Sequence, residues 1–386
     1  MPHIAIVGAG QAAASLAAKL RALGYEGEVT IFGDEPVPPY QRPPLSKKYL
    51  LGEMDEERLY LRPESFYADH GIALRLGAPV TAIEPQAKRL EVGSGTVAWD
   101  QLAMVTGSVP RRLPDAIGGA LGGVHTVRTL ADIDGMRAAF RPGAGVLIVG
   151  GGYIGLEAAA VAVQKGLRVT LAEAAPRILQ RVACPETSAW FADLHRGHGV
   201  DLREGTGLAR LIGGSRVTGA ELADGSHVAA DFVIVGIGIT PATGLAEAAG
   251  IACDNGIATD AQGRTSAPGV WAAGDCASFP WAGGRLRLES VQNAIDMAET
   301  VAGNMLGAGQ PYRPLPWFWS DQYDVALQIA GLNTGYDRIV VRDAGAARSH
   351  WYYRGADFLA VDAMNDARAY MVGKRLLEAG RSPAPG

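Results

Sequence analysis

Two glycine-rich stretches, IAIVGAGQAA at 4–13 and VLIVGGGYIG at 146–155, decide the fold of this chain. Each follows a short apolar run typical of a buried parallel strand, and each opens an Ala- and Leu-rich segment that predicts a helix. In this strand–turn–helix pattern the glycines let the backbone approach a pyrophosphate, and the helix N-terminus holds its charge. One such loop is a weak signal, but two in one chain indicate two bound dinucleotides.

Each fingerprint has an acidic residue where a nucleotide ribose is normally bound. The first unit is predicted as strand 4–7, helix 11–23 and strand 28–33, and the second as strand 145–149, helix 153–165 and strand 168–172. Asp34 follows the first unit and Glu173 the second, so each carboxylate can accept ribose hydroxyls. Glu173 would repel the 2′-phosphate of NADP, while Arg177 and Arg181 nearby soften that preference. The pattern therefore favours NADH over NADPH at the second loop.

The composition is typical of a globular α/β protein with more than one domain. The 386 residues are 48% hydrophobic and 19% charged, and they include 51 glycines. A formal charge of −5 argues against a nucleic-acid partner. No apolar run approaches the roughly 20 residues that span a bilayer, and no secretory leader precedes the first strand. We expect a cytoplasmic protein without a membrane partner.

The order of the elements predicts an α/β fold with two Rossmann-like dinucleotide-binding domains and a small α+β C-terminal domain. FVIVGIGITP at 232–241 is the predicted last strand of the second unit, and GVWAAGDCA at 269–277 predicts a strand that returns Gly274 and Asp275 to the first domain. From 325 to 362 apolar residues alternate as in an antiparallel sheet. We expect domains at 1–112 with 242–312, at 113–241 and at 313–386.

The three cysteines, Cys184, Cys253 and Cys276, form no C-x-x-C pair. The sequence therefore predicts neither a redox-active dithiol nor a metal site, and we expect three buried, unreactive thiols. Many flavoproteins with two dinucleotide sites pass electrons through a disulfide. The lack of a cysteine pair in this sequence therefore favours a reaction without that step.

Glu157 lies one turn into the helix that follows the second glycine loop. A glutamate there is usually exposed and stabilises the helix dipole. The Ala-rich face of this helix has to pack on the sheet, however, so a partly buried Glu157 needs a cation. Lys47, at the end of the Pro-rich stretch 35–47, is the candidate. The aromatic run 317–319 is expected in a domain core, although one of its rings can instead cover a flavin.

Eight stretches carry a resemblance along nearly the whole chain: GAGQAA, DEPVPPYQRPPLSK, VTG, VGGGYIGLE, GIGITP, AAGDCA, ESVQNA and PWFWSDQY. On these residues the chain resembles the FAD-dependent NADH:ferredoxin reductases of oxygenase systems, relatives of putidaredoxin reductase and of the biphenyl dioxygenase reductase in the pyridine nucleotide-disulfide oxidoreductase superfamily. RPPLSK and PWFWSDQY are the most specific of these motifs. The resemblance implies a glutathione-reductase-like fold with FAD, NAD and C-terminal domains.

The resemblance also implies roles for individual residues. The FAD-binding residues it implies are Gly8, Gly10, Gln11, Ala12, Asp34, Arg42, Pro43, Lys47, Val80, Thr106, Gly107, Arg128, Gly274, Asp275, Val291 and Trp319. The NAD-binding residues it implies are Gly150, Gly152, Tyr153, Ile154, Gly155, Glu157, Glu173 and Gly238. Lys47, Glu157 and Trp319 are implied as catalytic. Glu157, paired with Lys47, would face the nicotinamide, and Trp319 would stack near the flavin ring.

The implied activity is transfer of electrons from NADH through FAD to a [2Fe–2S] ferredoxin that serves a cytochrome P450 or a Rieske oxygenase. We expect a monomer or homodimer. The docking residues do not carry over, because the helix after ESVQNA continues IDMAETVAG without a cation. A rubredoxin or quinone reductase and a slow-turnover, redox-sensing NADH-binding flavoprotein stay open. An NADH oxidase or peroxidase would need a cysteine near Lys47, and none precedes Cys184.

Overall fold

The structure, a computed structural model, describes residues 1–384 and divides the chain into two compact units. The first unit comprises 1–41, 55–109 and 240–316, and the second comprises 42–54, 110–239 and 317–386. Each unit contains one of the two glycine loops. The three-domain boundaries expected from the sequence stay a prediction.

The α-helices are numbered in chain order. They are α1 (Gln11–Ala22), α2 (Lys48–Leu51), α3 (Glu64–Asp69), α4 (Leu130–Arg137), α5 (Tyr153–Gln164), α6 (Pro185–Gly197), α7 (Gly244–Ala248), α8 (Val291–Met305) and α9 (Ala367–Glu378). Short 3-10 turns cover Pro43–Ser46, Glu56–Leu59, Asp115–Ile117 and Gly274–Cys276.

The strands are numbered in the same way. They are β1 (His3–Val7), β2 (Glu28–Phe32), β3 (Ile72–Arg75), β4 (Val80–Glu84), β5 (Arg89–Val92), β6 (Gly95–Ala98), β7 (Gln101–Met104), β8 (Ser108–Pro110), β9 (Val124–His125), β10 (Gly145–Val149), β11 (Arg168–Glu173), β12 (Asp201–Glu204), β13 (Leu208–Gly213), β14 (Val217–Leu222), β15 (His227–Ala229), β16 (Phe232–Val235), β17 (Ile239–Pro241), β18 (Ile257–Ala258), β19 (Val270–Ala272), β20 (Ala277–Trp281), β21 (Gly284–Leu286), β22 (Trp317–Gln322), β23 (Val325–Gly331), β24 (Arg338–Ala344), β25 (Ala347–Arg354) and β26 (Asp357–Met364).

The first unit is built on a parallel sheet of strand order β19-β7-β1-β2-β3. Its strands are almost continuously apolar, which is typical of a parallel sheet covered on its faces. Helices α1 and α8 pack against each other and contact β2 and β19 respectively. Strand β19 joins this sheet after the long excursion through the second unit, so Gly274 and Asp275 return to the side of the first glycine loop.

The second unit repeats the arrangement with a parallel sheet of order β12-β11-β10-β16-β9. Its central strand β10 is buried at every position. In both sheets the glycine strand has its own successor on one side and a later strand on the other. This reversal of strand order makes a crevice at the carboxyl ends of the strands, where open α/β sheets bind ligands.

The second unit also contains an antiparallel sheet of order β22-β23-β26-β25-β24, with α9 packed on β23 and β26. The alternation at 325–362 predicted this sheet correctly. Helix α5 contacts β10, β11 and β16 of the parallel sheet, and it also contacts β22 and the Pro43–Ser46 turn. The first turns of α5 therefore lie where three segments distant in sequence converge.

Most predicted elements are confirmed to within one or two residues, but the segment 232–241 is not one strand. It forms β16 and β17, interrupted at Gly236 to Gly238, because Gly238 has a left-handed φ of +101° that no strand continues through. Within residues 1–384, no helix combines the length and the apolar character needed to cross a membrane.

Candidate functional site

The two helices that follow the glycine loops begin differently from the other long helices. Of the helices with eight or more residues in the described part of the chain, four have a side-chain N-cap: Thr129, Cys184, Ser290 and Asp366. Helices α1 and α5 begin at Gly10 and Gly152, with no side-chain cap and no acid in the first turn. A Cβ added at either glycine would meet no atom within 4 Å. These free N–H groups beside open space fit the phosphates of a dinucleotide.

The first glycine of each loop allows a close backbone approach to the neighbouring strand. Gly8 and Gly150 have φ of +111° and +106°. A Cβ at Gly8 would lie 2.3 Å from the carbonyl oxygen of Val105, and one at Gly150 would lie 2.5 Å from that of Gly236. A side chain at either position would force the loop away from the crevice between the strands.

The acidic residue is placed differently in the two units. Glu173 ends β11, and its carboxylate accepts the Gly151 N–H at 2.6 Å and the Ala175 N–H at 2.7 Å. Asp34 is exposed, and its Oδ1 accepts the neighbouring Glu35 N–H at 3.0 Å. Glu173 is therefore held in the glycine loop itself, whereas Asp34 stands beyond its loop.

Strand pairing explains the difference. Gly8 N–H donates to Phe32 and Gly150 N–H donates to Ala172, so Gly33 in the first unit corresponds to Glu173 in the second. A Cβ at Gly33 would lie 2.6 Å from the Cβ of Ala9. In the second unit the loop residue is Gly151, where an added Cβ would lie 2.6 Å from Ile178 Cγ2 and 3.2 Å from Glu173 Oε2. The first unit therefore carries a side chain in the loop, at Ala9, whereas the second carries one at the end of the strand, at Glu173.

The first unit brings several of the predicted FAD residues together. Gly8 packs against Val105 and Thr106, and Gly274 faces Ala12, whose Cβ would be 3.3 Å from a Cβ at Gly274. Asp275 Oδ2 accepts the Ser108 hydroxyl at 3.1 Å. The other predicted residues in this unit are Gln11, the first residue of α1, Val80 at the start of β4, Gly107 after β7, and Val291, the first residue of α8.

The other predicted FAD residues, Arg42, Pro43, Lys47, Arg128 and Trp319, belong to the second unit. Arg42 Nη1 donates to the Arg128 carbonyl at 2.6 Å, which joins the Pro-rich stretch to the segment before α4. Pro43 begins the 3-10 turn that presents Lys47. Trp319 is half-buried on β22, with its ring centroid 5.5 Å from that of Trp317. The predicted NAD residues Tyr153, Ile154 and Gly155 lie in the first turn of α5.

Glu157 is the buried charge of the second unit. Its Oε1 lies 3.1 Å from Lys47 Nζ and accepts the Ser320 hydroxyl at 2.7 Å, while its Oε2 accepts the Ser46 hydroxyl at 2.8 Å. The predicted Lys47–Glu157 ion pair is therefore present. Asp321 Oδ2, which is more exposed, lies 3.7 Å from the same Lys47 ammonium.

Burial and hydrogen bonding act on Glu157 in opposite directions. Burial raises the pKa of its carboxyl above 4.5, while Lys47 and the hydroxyls of Ser320 and Ser46 lower it. Burial has the larger effect, so the pKa lies above the ordinary value of a glutamate. A carboxyl tuned in this way beside a single cation is typical of a functional site.

Arg177 does not extend toward Glu173. Its Nη1 donates to the Ala183 carbonyl at 2.9 Å and to the Ser188 hydroxyl, and its Nη2 donates to the Gln180 carbonyl. These bonds tie the guanidinium to the segment that leads into α6. Arg181 is exposed.

The cysteines form no disulfide in the described residues. Cys184 and Cys276 are buried as expected, but Cys253 is partly exposed, so the expectation of three buried thiols is wrong for one of them. Cys184 lies with His350 and Asp362 in a buried group whose ligand atoms are within 4.8 Å of one another. The Thr187 hydroxyl stands among them, 3.3 Å from Cys184 Sγ, 2.6 Å from His350 Nδ1 and 2.8 Å from Asp362 Oδ2. We therefore describe these residues as a hydrogen-bonded cluster.

Sequence reasoning missed the hydroxyls of Ser46 and Ser320 that hold Glu157. Ser46 precedes Lys47 directly, so the pairing of Lys47 with Glu157 placed it nearby. Ser320 and Gln322 alternate with Asp321 on β22, a polar pattern on one face that could have indicated a buried polar contact.

Two parallel sheets, each with an uncapped glycine-loop helix and an acid at the second strand, define a two-dinucleotide oxidoreductase. The pyridine nucleotide-disulphide oxidoreductase family model matches residues 2–298, and the reductase C-terminal family model matches residues 317–386. The chain belongs to the pyridine nucleotide-disulphide oxidoreductase family. Membership implies that it binds FAD and a nicotinamide nucleotide.

Named relatives resemble the chain over nearly its whole length. A ferredoxin–NAD(P)+ reductase of Sphingomonas sp. is 46% identical over 99% of this chain and 94% of the relative. Putidaredoxin reductase of Pseudomonas putida is 40% identical over 97% and 91%. A crystal structure of the covalent putidaredoxin reductase–putidaredoxin complex matches with a TM-score of 0.96, 39% identity and coverage of 100% of this chain and 94% of that one. These matches confirm the fold class and the resemblance found in the sequence.

Proposed function

We propose that this chain is an NADH-dependent, FAD-containing ferredoxin reductase that supplies an oxygenase. The observation that carries the proposal is the pair of glycine-loop helices, both uncapped and open at their N-termini, in a chain whose described residues contain no disulfide. Two nucleotide sites and no disulfide in the described residues favour an acceptor outside this chain as the destination of the electrons. The relatives support this, because the two named above are reductases of ferredoxin and of putidaredoxin.

The first loop is proposed to hold FAD. Gly8, Gly10, Gln11 and Ala12 would receive its pyrophosphate and Asp34 its ribose, with Thr106, Gly107, Gly274 and Asp275 along the cofactor. Val80 and Val291 in this unit, and Arg42, Pro43, Arg128 and Trp319 in the second, complete the proposed set. Bound FAD supplies the chemistry of accepting a hydride and releasing electrons one at a time.

The second loop is proposed to admit NADH in preference to NADPH. Glu173 is fixed by two backbone N–H groups at the ribose end of the loop, where it would accept the 2′-OH of NAD. A 2′-phosphate would meet that carboxylate. Arg177 is already committed to three hydrogen bonds on its own segment, which argues against its use as a phosphate-binding cation. Gly150, Gly152, Tyr153, Ile154, Gly155 and Gly238 complete the proposed nucleotide set.

Lys47 and Glu157 are proposed as the polar pair at the hydride-transfer site. Lys47 and the Ser320 hydroxyl bind one oxygen of Glu157 and the Ser46 hydroxyl binds the other, so the pair has one defined geometry. Such a pair would orient the nicotinamide against the flavin, and orientation is the main contribution that a protein makes to this chemistry. Trp319 would cover the flavin ring.

The terminal acceptor is proposed to be a cytochrome P450 or a Rieske oxygenase, reached through a [2Fe–2S] ferredoxin. The purified protein should be yellow and should bleach when NADH is added under anaerobic conditions. Reduction of cytochrome c should need added ferredoxin, and a screen with rubredoxin and quinones separates the alternative acceptors. A protein that stays colourless after reconstitution with FAD contradicts the proposal. One that reduces every acceptor slowly while forming a long-lived charge-transfer complex favours a redox sensor.

A further inference from the structure

A line of buried polar side chains continues from Glu157 to helix α6. Ser320 Oγ lies 2.7 Å from Glu157 Oε1, and Gln322 Nε2 lies 3.2 Å from Ser320 Oγ. Gln322 Oε1 is 2.8 Å from His195 Nε2, and the Tyr323 hydroxyl is 3.1 Å from His195 Nδ1. Ser320, Gln322 and His195 are fully buried. We call Ser320, Gln322, His195 and Tyr323 the donor chain.

The carboxylate fixes the direction of every bond in the donor chain. An ionised carboxylate only accepts, so Ser320 has to donate to Glu157. The Ser320 oxygen then accepts from the Gln322 amide nitrogen, which leaves the Gln322 oxygen to accept from His195 Nε2–H. His195 Nδ1 is left without a proton and accepts the Tyr323 hydroxyl. All four donors therefore face the same way, toward Glu157.

Neither packing nor proton transfer accounts for this arrangement. Burying polar side chains costs free energy unless each is paired, so apolar residues of the same volume would fill the space at lower cost. The amide of Gln322 stands in the middle, and a neutral amide does not release a proton onward under ordinary conditions. Because hydrogen bonds in series polarise one another, a one-way row of donors instead strengthens the last bond, the one to the carboxylate.

We propose that Gln322, His195 and Tyr323 are positioning residues that act on Glu157 through Ser320. They hold one carboxylate oxygen in place for Lys47 and keep the carboxylate ionised, although it is removed from water. The proposal rests on the role in hydride transfer proposed above for Glu157. It adds three residues, two of them on or beside β22 and one on α6, to which no nucleotide contact is assigned.

The charges around Glu157 are few. Lys47 faces it from the end of the Pro43–Ser46 turn, and Asp321 approaches Lys47 from β22 at 3.7 Å. On α6, burial lowers the pKa of His195 to about 4, so the ring is neutral at physiological pH, as the donor chain requires. The Tyr323 ring stacks on that of His198, with 3.7 Å between their centroids.

The test follows the protonation of Glu157 directly. The infrared carbonyl band of protonated Glu157, isolated by subtracting the spectrum of the Glu157→Gln protein, is titrated in the flavin-loaded enzyme. Gln322→Met and Gln322→Leu each remove the donor to Ser320 without adding a charge near Glu157. Gln164→Met makes the same change at the exposed end of α5 and serves as the control. The rate of flavin reduction by NADH is measured on the same proteins as the pH is lowered.

We expect the half-protonation pH of Glu157 to rise by about one unit in both Gln322→Met and Gln322→Leu. Tyr323→Phe should move it less and in the same direction, and Gln164→Met should leave it unchanged. Folded Gln322 variants with an unshifted titration overturn the proposal, and Gln322→Leu decides the matter if Gln322→Met does not fold. Failure of NADH to reduce the flavin counts against the proposed function alone, because the titration does not depend on turnover.

Discussion

The two glycine loops have the same backbone and different surroundings. Both place a left-handed glycine against the next strand, and both begin a helix without a cap. Ser15 has the position relative to Gly8 that Glu157 has relative to Gly150. Ser15 is half-buried and accepts a hydrogen bond from Gln11 at 3.3 Å, whereas Glu157 is buried and bound by three side chains from other segments.

We interpret the loop backbone shared by the two units as the part that binds a nucleotide, and Glu157 with its partners as the part that serves the reaction. The backbone shared by the two loops is what any dinucleotide phosphate requires, so it identifies nucleotides without assigning their roles. The carboxylate that only the second loop carries has no part in holding phosphates. Under the proposed assignment, the first arrangement serves a resident cofactor, and the additional polar pair of the second serves a substrate that reacts and leaves.

The largest expected effect comes from filling one loop at a time. Gly10→Ala should give a protein that loses FAD on gel filtration, while Gly152→Ala should keep FAD and bind NADH on the order of 100-fold more weakly, because each Cβ intrudes only on the nucleotide. Flavin absorbance and NADH titration measure the two losses. Gly135→Ala, in helix α4 where a Cβ also meets nothing, is the control and should retain both nucleotides. Loss of the same nucleotide in both loop variants would refute the comparison.

The next prediction concerns Glu157, whose position in the first unit is occupied by Ser15. Glu157→Gln should slow flavin reduction by NADH roughly 30-fold, since it removes a charge-assisted contact worth about 2 kcal/mol. The bound flavin should be unaffected. Stopped-flow absorbance measures the rate, and Ser15→Ala, at the corresponding position of the first unit, should reduce at the normal rate. An equal slowing in both proteins would mean that the two helices do not differ in the way proposed.

A smaller effect is expected at the acids. Glu173→Ala should weaken NADH binding about tenfold and leave NADPH binding unchanged or improved, because the carboxylate favours one ribose and repels the phosphate of the other. Steady-state KM values for both nucleotides measure the change in preference. Asp34→Ala should instead weaken FAD retention without changing that preference. An altered NADH preference in Asp34→Ala would reverse the assignment of the two loops.

The smallest expected effect is on the pH profile. Burial raises the pKa of Glu157 above 4.5, so its carboxylate is present at higher pH and is lost as the pH falls through that raised value. Flavin reduction by NADH should therefore fall several-fold once most Glu157 side chains are protonated, and it should approach the roughly 30-fold loss of Glu157→Gln only when protonation is complete. In Glu157→Gln this decrease in rate at low pH should be absent. A decrease in rate that persists in the variant would be caused by the titration of a residue other than Glu157.

Local pattern predicted the parallel strands and their loops, because apolar runs and glycine turns are specified within a few neighbouring residues. The Lys47–Glu157 pair was also predicted, since a buried carboxylate requires a cation and the family resemblance implied Lys47 as its partner. The break at Gly236 to Gly238 was missed because the apolar run appeared continuous. Ser320, Gln322 and His195 escaped prediction because their pairing depends on where β22 meets α5 and α6, which no local pattern encodes.

The loop residue and the residue at the end of the second strand are Ala9 and Gly33 in the first unit, but Gly151 and Glu173 in the second. This exchange of the side chain between loop and strand has an evolutionary consequence. If the two units arose from one ancestral loop, the order of the steps between them was constrained, because the Ala9 side chain has to be removed before one is added at residue 33. A side chain at residue 151 brings its Cβ within 2.6 Å of Ile178 Cγ2 and 3.2 Å of the Glu173 carboxylate, and one at residue 33 brings its Cβ within 2.6 Å of the Ala9 Cβ. Each position decides which residues its partner tolerates, so a redesign of nucleotide choice in either unit has to change both together.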